Sequence, residues 1–87
     1  MTKSTIGYHI NTIPKGVVGE PSKIVEEAME IADAHLQGVK IMAATELADL
    51  YGAMVSYMEK HHPELTMADV HDMHIVTRRA FESGRRT

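Results

Sequence analysis

The chain has no cysteine and no tryptophan, a single phenylalanine and only three prolines among its 87 residues. Without cysteine, neither a disulfide nor a thiolate–zinc site can stiffen so small a protein, and nothing in the composition speaks for an oxidising compartment. No apolar run approaches the ~20 residues of a membrane span. Met1–Ile10 also lacks the apolar centre of a signal peptide, so the expectation is a soluble, cytoplasmic protein with no membrane partner. Basic residues number 9 against 12 acidic ones, for a net charge of −3, which argues against a general nucleic-acid binder. A glycine-rich phosphate loop, a nucleophile elbow, zinc-ligand spacing, internal repeats and low-complexity tracts are all missing.

What the chain does have is 44% apolar residues, enough for one folded domain. Alone, a domain of this length hides only about 60% of its unfolded surface. Assembly with further copies, or a bound ion, is the expected remedy.

Charge is distributed unevenly. Between Ile24 and Met58 stand Glu26, Glu27, Glu30, Asp33, Glu46 and Asp49 with Lys40 as the sole fixed cation, so six acids against one base leave −5 locally. From Arg78 to Thr87 four arginines oppose Glu82, a balance of +3.

Residues 1–19, broken by Pro14, Gly16 and Gly19, read as an extended arm or small hairpin, with Tyr8, Ile10 and Thr12 alternating as in a short strand. Helical spacing begins at Pro21, which suits a first helical position. It carries Ile24, Ala28, Ile31, Ala32 and His35 beside Val25, Met29 and Leu36, and Gly38 is its expected stop. A second helix, about 40–60, bears the stripe Leu47, Leu50, Met54 and Met58 and ends before Pro63. Thr66 and Asp69 form a capping box with Asp in place of Glu and open a third helix. There Val70, Met73, Thr77 and Phe81 are expected inward, with Gly84 closing it. The fold expectation is all-α: three helices after the arm, residues 20–87 forming the helical domain, and a four-helix-type bundle completed by oligomerisation.

Two acidic pairs stand out. Glu27 and Glu30 are three apart on the first helix, Glu46 and Asp49 three apart on the second, so each pair projects from one face. Glu30 lies eight residues before Gly38 and Glu46 eight after it. At a rise of ~1.5 Å per residue both pairs reach about the same height above the turn. Acids on helices are commonly a solvated face, and one such pair means little. Two pairs level with each other suggest a hard divalent cation, Mg²⁺ or Mn²⁺, because oxygen ligands suit these ions.

The segment Lys23-Ile24-Val25-Glu26-Glu27-Ala28-Met29-Glu30-Ile31, followed by Glu46-Leu47-Ala48-Asp49-Leu50-Tyr51, resembles the EExxE…ExxD signature of MazG-like all-α nucleoside triphosphate pyrophosphohydrolases. These are related to phosphoribosyl-ATP pyrophosphohydrolase and the dimeric dUTPases. The arginine-bearing end resembles that of short, single-domain members common in phages, which would place the protein in a host cytoplasm. The resemblance implies Mg²⁺ held by Glu27, Glu30, Glu46 and Asp49, and Glu26 orienting or deprotonating the attacking water. It also implies cleavage of a nucleotide substrate to monophosphate and pyrophosphate. Lys15, Lys23, Arg79 and Arg85 are candidate phosphate contacts, each equally readable as an ordinary surface cation. The chain departs from the family's pattern in its extended arm, where members carry a helix.

Two other readings compete. His71-Asp72, with His74 a turn away, resembles the dyad of HD-type phosphohydrolases, which need more ligands than 87 residues readily supply. The seven methionines fit core filling, or a groove on a non-catalytic helical oligomer that binds a protein partner.

Overall fold

The computed structural model describes residues 10–82. Three helices follow an irregular arm: α1, Pro21–Gln37; α2, Lys40–His61; and α3, Met67–Glu82. Among the described residues there is no strand. Of the alternating positions expected to form one, Tyr8 lies outside the described residues, and Ile10 and Thr12 sit in bent or irregular backbone. No described helix is long and apolar enough to cross a membrane.

The helix boundaries follow local chemistry. Pro21 occupies the first turn of α1, where its missing N–H costs nothing. Gly38 caps α1 at φ 77°, a left-handed conformation that side chains resist, and its N–H donates to the carbonyls of Ala34 and His35. Only Gly38 and Val39 separate α1 from α2, so the two helices fold back antiparallel and form the principal helix–helix contact. At the far end Glu20 takes Lys60, with His61 Nε2 3.3 Å away, tying the start of α1 to the end of α2. Bonding to Lys60 and the neighbouring positive charges hold the Glu20 carboxyl below the usual range. Before α3 the capping box forms as expected: Thr66 N donates to Asp69 Oδ2 (2.8 Å) and Asp69 N to Thr66 Oγ1 (3.2 Å).

The packing departs from the expected apolar stripes. Among the described residues only two apolar ones are buried, Ala34 and Ala53, against four carboxylates: Glu26, Glu27, Asp33 and Glu46. Leu36, Ile41, Leu47 and Tyr51 are exposed, and so are Met73 and Phe81, two of the four residues expected inward on α3. α3 buries no residue at all. Gly84, the expected stop of α3, lies outside the described residues. The radius of gyration is 15.6 Å, whereas a compact chain of this length has about 12 Å. The physical reason lies in the register: the face that α1 turns toward α2 and the arm carries Glu26, Glu27, Glu30, Asp33 and Ala34, which leaves Val25, Met29 and Leu36 exposed and Ile24 and Ile31 half-buried.

Candidate metal centre

The four acids expected to converge do so. One carboxylate oxygen from each of Glu27, Glu30, Glu46 and Asp49 lies within 4.8 Å of the other three. Equal distance from the Gly38 turn places the two pairs level, and the antiparallel pairing turns them toward each other. Glu27 and Glu46 are buried, Glu30 is half-buried and Asp49 is exposed, so the cluster opens to solvent on the Asp49 side. Among the described residues no other group brings three or more metal-ligating side chains together. His71 and Asp72 lie exposed on α3, and no third ligand joins them there.

The chemistry of this donor set suits a hard cation. Glu27 Oε1 is buried without a hydrogen-bond partner, an arrangement that costs free energy unless something positive reaches it. Burial pushes the Glu30 carboxyl up to about 8, aided by its bond to Glu46, the charges of Glu27 and Glu46, and its bond to Glu26. A proton on Glu30 thus does the neutralising that a cation would do. Oxygens bound to one Mg²⁺ at about 2.1 Å lie no more than about 4.2 Å apart. Neighbouring positions of such an octahedron are only about 3.0 Å apart, so the carboxylates, within 4.8 Å of one another, draw closer to share one ion.

Glu26 stands apart from the four. Its Oε1 accepts from Gly16 N (2.8 Å) and Lys23 Nζ (3.2 Å), and Lys15 Nζ is 3.7 Å from Oε2. Burial works to raise its pKa, but the Gly16 N–H, the Lys23 ammonium and the bond to Glu30 outweigh it and hold the carboxyl below its ordinary value. Such a group orients a water better than it takes a proton from one. Lys23 also reaches Glu27 Oε2 at 3.2 Å. Burial would lower its pKa, yet bonding to Glu26 and Glu27 raises it instead. The local −5 is therefore partly answered by Lys15 and Lys23, which precede the acidic stretch in sequence and reach back over it in space.

Arg79 lies exposed on the last turn of α3, and Arg85 lies outside the described residues. Beside the cluster runs a groove of about 340 Å³ lined by Val18, Lys23, Glu27, Asp49, Gly52 and Ser56 among others. Sequence reasoning missed Gly16. A Cβ there would meet the Ser22 carbonyl oxygen at 2.3 Å, so only glycine lets the arm lie this close to the start of α1. Gly16→Ala is expected to destabilise the chain by about 1–3 kcal/mol, read as a lower urea midpoint. An unchanged midpoint would show that the arm does not rest on α1.

Compared with protein-family models, curated proteins and solved structures, the chain finds no match in any of the three.

Proposed function

We propose that the protein is a Mg²⁺-dependent nucleotide pyrophosphohydrolase, acting on nucleoside triphosphates or related nucleotides such as alarmones. The observation that carries this reading is the convergence of Glu27, Glu30, Glu46 and Asp49 from two helices onto one point, with Glu27 Oε1 buried and unmatched. Glu27 and Glu46 are buried in a protein whose described residues bury only two apolar side chains, a costly arrangement that a bound cation would offset.

In this reading Glu27, Glu30, Glu46 and Asp49 hold the ion, Mn²⁺ being able to replace Mg²⁺. The ion, when bound, neutralises phosphate oxygens and lowers the pKa of water. Water oxygen attacks the α-phosphorus, the bond from that phosphorus to the α–β bridging oxygen breaks, pyrophosphate leaves with the bridging oxygen, and the proton given up by the water passes to solvent. Glu26, ionised and braced by Gly16 and Lys23, orients that water. The solvent-facing Asp49 side and the adjoining groove receive the nucleotide, with Lys15 and Lys23 turning from the carboxylates to phosphate as the ion takes over their neutralising role.

The same reading includes a second copy of the chain. Leu47 and Tyr51 on α2, Leu36 on α1 and Met73, Val76 and Phe81 on α3 lack cover within one chain. A homodimer, or a tetramer of two dimers, completes a bundle and lets Arg79 of one copy approach the carboxylates of another. Light scattering at micromolar concentration is expected to give a mass of at least two chains. Leu47→Lys, which sets a charge on the uncovered face, should reduce it to one. A wild-type monomer at that concentration sinks the assembly.

The activity is tested by incubating the protein with NTPs, dNTPs and guanosine tetraphosphate-type alarmones, with Mg²⁺ or with chelator. Pyrophosphate release that requires Mg²⁺ supports the proposal. Absence of cleavage across the panel, together with no Mg²⁺ binding, returns the protein to the alternative of a non-catalytic helical oligomer with a protein partner.

A further inference from the structure

The cluster occupies one end of a chain of contacts that starts outside it, at Asp33. This carboxylate, 2% exposed, accepts the backbone N–H groups of Ile10 (3.0 Å) and Asn11 (3.0 Å), the Asn11 side-chain amide (2.9 Å) and Gln37 Nε2 (2.9 Å). Three of the four donors come from the arm. Seven residues earlier on α1, Glu26 takes the Gly16 N–H. The arm therefore runs antiparallel to α1, fastened at both ends of a short stretch to buried carboxylates. Ile10, Val17 and Val18 are exposed and only Ile13 is half-buried, so the hydrogen bonds to two acids are the arm's main fastening.

The two fastenings are tied by reach. They are two helical turns apart, about 10 Å along the axis. The five steps of chain from Asn11 to Gly16 span at most about 17 Å. Fastening residues 10 and 11 thus holds Gly16 at a high local concentration beside Glu26. Gly16 N–H and Lys15 in turn occupy Glu26, which adjoins Glu27 in sequence and bonds Glu30.

We propose that residues 10–20 form a strap seated by Asp33, and that Asp33 is a positioning residue which, through the strap, withholds Glu26 from the metal-binding set. The inference rests on the metal-centre reading above. With the strap seated, the ion meets four carboxylates and Glu26 stays beside them, oriented for water. With the strap off, Glu26 loses the backbone donor and the Lys15 charge, and turns to the ion as an additional anionic ligand. Metal affinity then rises while turnover falls. Loss of the Asp33 charge by itself would have the opposite effect on affinity, weakening cation binding slightly, because removing an anion lowers the negative potential at the cluster.

The experiment uses the full chain as wild type, Asp33→Asn and Asn11→Ala. The latter changes no charge and touches an exposed side chain, so it folds even if the former is compromised. Amide hydrogen exchange is followed at Gly16, and free Mn²⁺ is titrated by its paramagnetic resonance signal. Both variants are expected to lose Gly16 protection at least 10-fold and to bind Mn²⁺ about 3- to 10-fold more tightly, with pyrophosphate release reduced by a similar factor. The Asn11→Ala effect should be the smaller. Unchanged Gly16 exchange in both variants overturns the strap. Gly16 exposure accompanied by weaker or unaltered Mn²⁺ binding overturns the positioning role, since general loosening of the fold would weaken affinity and activity together. A wild-type chain that binds no Mn²⁺ defeats the metal reading and the positioning role with it, while Gly16 exchange still decides whether Asp33 seats the strap.

Discussion

Glu30→Gln is expected to lower pyrophosphate release more than about 100-fold, because groups that merely support a metal ligand are commonly worth ~10–100-fold and Glu30 is a ligand itself in the proposed site. The same substitution should stabilise the metal-free chain. Glu30 sits between Glu26 and Glu46, bonded to both, with Glu27 adding a further negative charge. An uncharged amide of the same length keeps a donor there at every pH and removes the repulsion. Loss of activity combined with a higher melting temperature in chelator separates this mechanism from misfolding, which would depress both. If Glu30→Gln retains activity, the four-carboxylate centre is not the catalytic one.

The second large effect is the response of stability to pH and to metal. In the unfolded chain Glu30 titrates near 4.5, whereas in the folded chain it is pushed up to about 8. Between those values the folded state holds a proton that the unfolded state has released. Its contribution is therefore fully present below about 4.5 and is lost as pH rises through 8. Glu30 is part-exposed, so solvent screening reduces the loss to about 1–2 kcal/mol. Glu26 runs the other way. Its lowered folded pKa gives stability above the unfolded value that disappears on acidification. In chelator, then, stability should peak in the mildly acidic range and decline toward pH 9. Mg²⁺ at a hundred times its dissociation constant should restore about 2.7 kcal/mol at pH 8 and flatten the alkaline decline, because the ion replaces the proton. Denaturant melts at several pH values, with and without Mg²⁺, measure this directly. A chelated protein that gains stability between pH 6 and 9 contradicts the assignment.

Much of the helical frame could be read from short-range signals. Pro21, Gly38, Pro63 and the Thr66–Asp69 box act through steric exclusion, a left-handed cap and local hydrogen bonds. These forces act within a few residues, so sequence alone reveals them. The convergence of Glu27, Glu30, Glu46 and Asp49 was legible for a similar reason: helix rise and a two-residue turn fix relative height almost by arithmetic.

The environment of those carboxylates was not legible. Counting charge from Ile24 onward left Lys23 out by one position, and Lys15 by more, although both reach Glu26. Asp33 looked like one acid among six, yet it holds the arm through donors more than twenty residues away. The apolar stripes pointed to inward faces, but α1 turns carboxylates toward its neighbours and leaves Leu36 outside. Periodicity tells which residues share a face and does not tell what that face meets.

The sequence by itself determined three helices, the stops of the first two and the level of four acids, because each follows from backbone geometry over at most a turn or two. Only the tertiary structure decided which acids cluster, which are answered by a lysine and which serve as anchors for the arm. That division depends on backbone N–H groups, above all that of Gly16, whose position no side-chain pattern records. The missing cysteine and the scarce positive charge acquire their meaning there: Glu26, Glu27 and Asp33 are held by amides and two lysines.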